Sequence, residues 1–214
     1  MRTAEKKKMS LENFLRLRFK GLLDLIGGFL NRIGLKPNMV TIIGLIGNFI
    51  AAYLLAIGEI TWGGLLVLVI APIDALDGTM ARLRGKTTRF GGFVDSVTDR
   101  YSELLVFGGL LIYFTGRFQI IPIILCYLAA AGSIMVSYTR ARAEALNYEA
   151  KVGLLTRVER YIVLIPCLVI NQPLIALWIL AIFTNFTAFQ RIYSVRKQAY
   201  AINDVVSKDN SKDL

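Results

Sequence analysis

Residues 61–99 read TWGGLLVLVIAPIDALDGTMARLRGKTTRFGGFVDSVTD. The stretch begins as an apolar run, meets two aspartates, crosses a short basic segment, and enters a second apolar run that carries two more. Asp74, Asp77, Gly78, Ala81 and Arg82 follow i, i+3, i+4, i+7, i+8, so on a helix they form one stripe. Gly91, Asp95 and Asp99 follow i, i+4, i+8 and form a second stripe. The short basic connection predicts two antiparallel helices with neighbouring ends, on which the four carboxylates converge.

The apolar pattern continues on both sides. Six stretches approach the roughly 20 residues that a membrane-spanning helix needs. They lie near 39–58, 61–83, 90–115, 119–140, 157–170 and 173–192. The fifth is short unless its helix begins in the polar segment before it. No span looks broken around the aspartates. The fold expected is all-α and membrane-integral, with six spans in one domain over residues 1–206 and a polar tail at 207–214. Ahead of the first span, residues 10–33 place Leu11, Phe14, Leu15, Leu22, Ile26, Phe29, Leu30 and Ile33 on one broad face, with Ser10 as the N-cap. This predicts an amphipathic helix lying at the membrane interface, ended by Gly34 and Pro37.

Composition narrows the chemistry. The 214 residues are 55% hydrophobic, carry a formal charge of +10, and include no histidine. The commonest general base and transition-metal ligand is therefore missing. The two cysteines, Cys126 and Cys167, sit inside apolar stretches and form neither a disulfide framework nor a thiolate zinc site. The basic N-terminus is followed by an amphipathic stretch, so no cleavable signal peptide is expected. Basic residues are asymmetric. Nine lie in 1–38, and others follow spans two, four and six, whereas the three opposite loops hold only Arg117. By the positive-inside rule both termini and the aspartate ends are cytoplasmic. This pattern accounts for the charge, and no aromatic–basic module for nucleic acid is present.

An aspartate at the centre of a spanning helix costs about 2.5–3.5 kcal/mol on the insertion scale. Four close together cannot all stay ionised without cations. Oxygen-only donors suit Mg2+, Mn2+ or Ca2+. Two such ions, about 4 Å apart, suit in-line displacement at phosphorus. Gly78, Ala81 and Gly91 leave room for a diphosphate to approach. Two other readings use the same residues: intramembrane ion pairs with Arg82 or Arg100, or a cation or proton transporter with an aspartate relay.

The sequence matches D-x2-D-G-x2-A-R-x8-G-x3-D-x3-D from Asp74 to Asp99 without a gap. In this it resembles the CDP-alcohol phosphotransferase family, over nearly the whole chain. The resemblance implies a homodimer in the cell membrane, a site with two Mg2+ or Mn2+ ions, and transfer of a phosphoalcohol group from a CDP-linked lipid such as CDP-diacylglycerol, with release of CMP. It implies Asp74, Asp77, Asp95 and Asp99 as metal ligands and Asp99 as the catalytic base. It implies Gly78, Ala81, Arg82 and Gly91 around the CDP group.

The acceptor is read from Ser137-Tyr138-Thr139-Arg140-Ala141-Arg142-Ala143-Glu144, then Arg157-Val158-Glu159-Arg160, then Gln190-Arg191. A phosphorylated, water-soluble acceptor needs several arginines. Arg140, Arg142, Arg157 and Arg191 are the candidates; the plainer reading makes them anchors at helix ends. The pattern resembles the phosphatidylinositol phosphate synthase branch and its archaeal ether-lipid counterpart, which implies inositol phosphate as acceptor. Thr156 and Val158 depart from that branch, which usually has Glu and Pro there. Glycerol 3-phosphate is the alternative acceptor.

Overall fold

The computed structural model describes residues 17–85 and 87–201, apart from the side chains of Asp74 and Ala75. Residues 10–16, with the Ser10 cap, and the tail at 207–214 lie outside the described residues. Among the described residues the chain forms eight α-helices and no strand. They are α1 (Lys20–Arg32), α2 (Pro37–Ile57), α3 (Ile60–Ile70), α4 (Ile73–Leu83), α5 (Arg89–Thr115), α6 (Ile120–Ala145), α7 (Arg157–Val169) and α8 (Pro173–Ala201).

The boundaries follow local chemistry. Lys36 is extended, as a residue before proline should be, and Pro37 opens α2 at a position whose N–H has no helical partner. Gly58 closes α2 with φ +98°, a left-handed conformation that glycine adopts without strain. The Thr88 hydroxyl caps α5 by accepting from the Gly91 N–H at 3.0 Å.

Among the described residues three helices are long and apolar enough to cross a bilayer: α2, α6 and α8. Many large apolar side chains stay exposed, among them Ile42, Ile46, Phe49 and Tyr53 on α2 and Ile182, Phe186 and Phe189 on α8. Apolar exposure on this scale marks a membrane protein. The expected single helix over 61–83 is divided at Ala71-Pro72 into α3 and α4. Pro72 has no N–H to give the preceding turn, so the helical ladder is interrupted there. The helix of the fifth stretch does not begin in the polar segment before it. It starts at Arg157 and runs 13 residues, about 20 Å at 1.5 Å per residue. The last helix runs past the expected end at 192 to Ala201.

The main core joins α2, α3, α5, α6, α7 and α8 around Leu55, Phe107, Leu110, Leu168, Leu177 and Leu180, all 2% exposed or less. The α6–α8 contact is close because Gly132 lies opposite Thr184, and a Cβ there would overlap the Thr184 hydroxyl. A second, smaller cluster of Val40, Leu76 and Met80, with Leu23 and Leu30 against it, joins α1 and α2 to α4. The ends of α1 and α4 are tied by polar contacts. Arg84 Nε donates to Asn31 Oδ1 at 2.6 Å and Arg84 Nη2 to the Leu35 carbonyl at 2.6 Å.

The two aspartate helices find their principal neighbours elsewhere. Among the described residues α4 rests on α1 and α2, while α5 rests on α2 and α6. The broken second span frees α4 to change neighbours, and α2 becomes the common wall on which both aspartate helices bear.

Candidate active site

The first stripe lies on α4. Leu76 and Met80, at 7% and 0% exposure, hold this short helix to the small cluster. Asp77 is buried at 6%. Its Oδ2 accepts from the Thr41 hydroxyl of α2 at 2.5 Å, and its Oδ1 accepts from the Gly78 N–H. A buried carboxylate held by two donors keeps its orientation. An ionised carboxylate has about four lone-pair positions, so these two hydrogen bonds do not by themselves exclude a cation. Arg82 Nη2 donates to the Thr79 hydroxyl at 2.9 Å. Arg82 and Thr79 line a cavity of about 320 Å3 between α1 and α4, whose other walls are Leu17, Lys20, Leu23 and Asp24.

The second stripe lies on α5. Gly91 stands in its first turn, where a Cβ would come within 3.0 Å of the capping Thr88 hydroxyl. Asp95 and Asp99 follow, both half-buried. Asp99 Oδ1 pairs with Arg157 Nη1 of α7 at 2.7 Å, and Asp99 Oδ2 lies 4.0 Å from Arg100 Nη1. The Arg157 guanidinium carbon also stands 5.4 Å from the centre of the Tyr161 ring. Asp99 therefore does take ion-pair partners. Among the described residues no three carboxylates are gathered as a metal-holding group. Asp74 stands one turn before Asp77 on α4.

The donor set still fits a hard divalent cation. It consists of carboxylates on two helices, with no imidazole anywhere in the chain, and the buried Asp77 is oriented by neutral donors.

The four candidate arginines take different partners. Arg157 is on Asp99. Arg140 Nε donates to Glu144 Oε1 at 2.9 Å, one turn on along α6, with both side chains about half exposed. Arg142 lies exposed in the last turn of α6. Arg191 is 3% exposed; its Nε donates to the Val152 carbonyl at 2.9 Å and its Nη1 to the Val136 carbonyl. It thus braces the segment between α6 and α7 against α6 and α8. Gly153, at φ +133°, lets that segment approach, since a Cβ there would overlap Thr187 Cγ2.

Several residues at this site were not expected from the sequence. Thr41 gives no sign in the sequence that it would meet Asp77, 36 positions away. Glu103 could have been found, because it extends the Gly91, Asp95, Asp99 stripe by one more turn. It pairs with Arg160, whose Nε and Nη2 donate to Oε1 and Oε2 at 2.6 and 2.8 Å.

The two aspartate stripes, on α4 and α5, carry the D-x2-D-G-x2-A-R-x8-G-x3-D-x3-D pattern. The family model of CDP-alcohol phosphatidyltransferases matches residues 35–189, and the chain belongs to that family. Among its relatives is the archaetidylinositol phosphate synthase of Pyrococcus horikoshii, 35% identical over 185 residues, with 86% of this chain and 96% of that one covered. The fold is similar to the crystal structure of Mycobacterium tuberculosis phosphatidylinositol phosphate synthase with CDP-DAG bound. The TM-score is 0.76 at 32% identity, over 81% of this chain and 92% of that one. The same Mycobacterium tuberculosis enzyme in complex with manganese and citrate matches with a TM-score of 0.76 at 32% identity, over 81% and 88% of the two chains.

Proposed function

We propose that this protein transfers a phosphatidyl group from CDP-diacylglycerol, or a related CDP-lipid, to inositol phosphate, releasing CMP. The observation that carries the acceptor reading is the 2.7 Å contact between Asp99 and Arg157. It puts a base candidate beside a guanidinium able to hold a phosphate, and an inositol phosphate offers a hydroxyl and a phosphate together. The relatives are named as synthases of archaetidylinositol phosphate and phosphatidylinositol phosphate, products in keeping with an inositol phosphate acceptor, and the family membership supports the donor.

Asp74, Asp77, Asp95 and Asp99 hold two divalent ions, Mg2+ or Mn2+; when bound, these neutralise diphosphate charge and make CMP a better leaving group. Gly78, Ala81, Arg82 and Gly91 surround the CDP group. Asp99 takes the proton of the acceptor hydroxyl as its oxygen attacks the lipid-side phosphorus in line with the departing CMP oxygen. Arg157 holds the acceptor's phosphate, and Arg140, Arg142 and Arg191 add positive potential around it. No covalent intermediate is required.

The chain crosses the cell membrane six times as one domain over 1–206, with α3 and α4 together as the second crossing. The N-terminal segment ending in α1 lies on the inner leaflet; the exposed Leu22, Leu25, Phe29 and Ile33 support this. Both termini and the site are cytoplasmic, following the asymmetry of basic residues, and the enzyme is a homodimer. Purified protein supplied with CDP-diacylglycerol and Mg2+ should release CMP with inositol phosphate and far less with inositol or glycerol 3-phosphate. Preference for glycerol 3-phosphate would move the enzyme to phosphatidylglycerol phosphate synthesis. Metal-dependent cation flux without CMP release would make it a transporter, a reading to which the break at Pro72 beside the aspartates lends the one structural argument.

A further inference from the structure

Two ion pairs join α5 to α7, one above the other. Glu103 lies four residues after Asp99, and Arg160 lies three residues after Arg157. These are steps of about 6 and 4.5 Å along their helices, so the pairs stack as successive rungs. The rungs differ in kind. In the outer one, Arg157 Nη1 meets Asp99 Oδ1 at 2.7 Å, and the side chains are 30% and 15% exposed. In the inner one, Arg160 and Glu103 meet fork to fork at 2.6 and 2.8 Å, with side chains 3% and 8% exposed. Arg160 Nη1 donates in addition to the Leu155 carbonyl at 3.4 Å. The outer rung is open to a soluble substrate, while the inner rung is closed to one.

The inner rung also sits where the helices need it. The principal neighbours of α5 are α2 and α6, and those of α7 are α3 and α8. At this end of the bundle the two arginines tie α7 directly to α5. The connection continues outward. The Leu155 N–H donates to the Thr187 hydroxyl at 3.2 Å, one turn before Arg191 on α8.

We infer that Glu103 and Arg160 are positioning residues for acceptor recognition: their buried bidentate pair fixes the rotation and depth of α7 against α5 and so delivers Arg157 to the edge of Asp99. This rests on the proposed role of Arg157 toward the acceptor's phosphate. A bidentate arginine–carboxylate pair constrains direction as well as distance, which a packed apolar contact does not. If the pair served stability alone, apolar side chains of similar volume could replace it with little loss, as buried ion pairs often allow.

The test compares Arg160→Lys, Glu103→Asp and the double variant Glu103→Met with Arg160→Leu against wild type. For each, KM and kcat are measured for inositol phosphate at saturating CDP-diacylglycerol, then KM for CDP-diacylglycerol, with thermal stability in detergent. All three should raise the acceptor KM, by about 10-fold or more in the double variant, equivalent to one lost charge-assisted hydrogen bond. The donor KM should stay within about twofold, given the sub-kilocalorie coupling expected of separate sites. Glu103→Asp keeps the charge and withdraws the fork by one methylene, so it should fold and still show the rise. A double variant with wild-type stability and wild-type acceptor KM would show that the pair is purely structural, and so would an unchanged KM in Glu103→Asp. Equal losses for donor and acceptor would also overturn the inference. A wild-type enzyme that ignores inositol phosphate would instead overturn the acceptor reading beneath it.

Discussion

Arg157→Ala removes the side chain on which the acceptor reading depends, and its size can be worked from the geometry. Arg157 Nη1 meets Asp99 Oδ1 at 2.7 Å, and 30% of the Arg157 side chain is exposed. The exposed part of the side chain is accessible to a phosphate. A charge-assisted hydrogen bond of that kind contributes about 1.5–3 kcal/mol. Its loss should raise the KM for inositol phosphate by about 10- to 150-fold, since 1.4 kcal/mol is a factor of ten. The effect on stability should be smaller. The pair lies between the exposed case, worth about 0–1 kcal/mol, and the buried case, where breaking one partner costs about 3–5 kcal/mol. A loss of about 1–2 kcal/mol follows from that placement. Arg157→Lys should recover part of the stability, because it restores a cation, but little of the acceptor affinity, because an ammonium has no fork. The assay is CMP release, with each substrate varied while the other saturates. If Arg157→Ala weakens CDP-diacylglycerol and leaves inositol phosphate unaffected, Arg157 belongs to the donor site and the assignment is wrong.

Other expectations follow from the same site. CMP release should require Mg2+ or Mn2+ and stop on addition of EDTA; undiminished turnover in metal-free buffer would refute the two-ion reading. Asp99→Asn should lose turnover by at least about 100-fold, the lower range for general-base removal, while CDP-diacylglycerol still binds; near-normal turnover would place the base elsewhere. Gly153→Ala should strain a backbone at φ +133° and push the segment off Thr187, destabilising the protein by about 1–3 kcal/mol in thermal or denaturant unfolding, against no measurable change if the segment simply relaxes. Cysteines placed at Gly116 or Gln172 should react with an impermeant reagent from outside the cell and one at Lys151 should not; the opposite pattern would invert the topology.

How far the sequence could be read depended on the range of each interaction. Helix α5 was legible from 90 to 115 because an apolar run bounded by a polar loop and a glycine carries its own limits. The division at Pro72 was harder to foresee, since the apolar character runs unbroken through a residue whose missing N–H interrupts only one turn. The principal neighbours of α4 and α5 were not legible for a related reason: a short connection constrains where two helices meet, not which third helix each prefers along its length. The aspartate stripes themselves were plain, because charge inside an apolar helix is conspicuous and its spacing gives the face. The partners of those aspartates were hidden. Thr41 and Arg157 reach Asp77 and Asp99 across 36 and 58 residues of chain, and nothing local marks them. Arg191 shows the opposite hazard. Its type and place at a helix end suggested a surface anchor or a ligand contact, whereas it is 3% exposed and spends two donors on backbone carbonyls. A buried arginine that satisfies carbonyls can still direct its positive field toward a site, because low-dielectric surroundings screen it weakly. Three of the candidate arginines, with Arg160 beside them, then divide by work rather than by type. Arg157 is open enough to bind a phosphate, Arg160 is closed and sets where Arg157 stands, Arg191 secures the intervening segment, and Arg140 holds Glu144 at the exposed rim. Substitutions at these positions should therefore separate in their kinetics, and only Arg157 combines an exposed fork with contact to the proposed base.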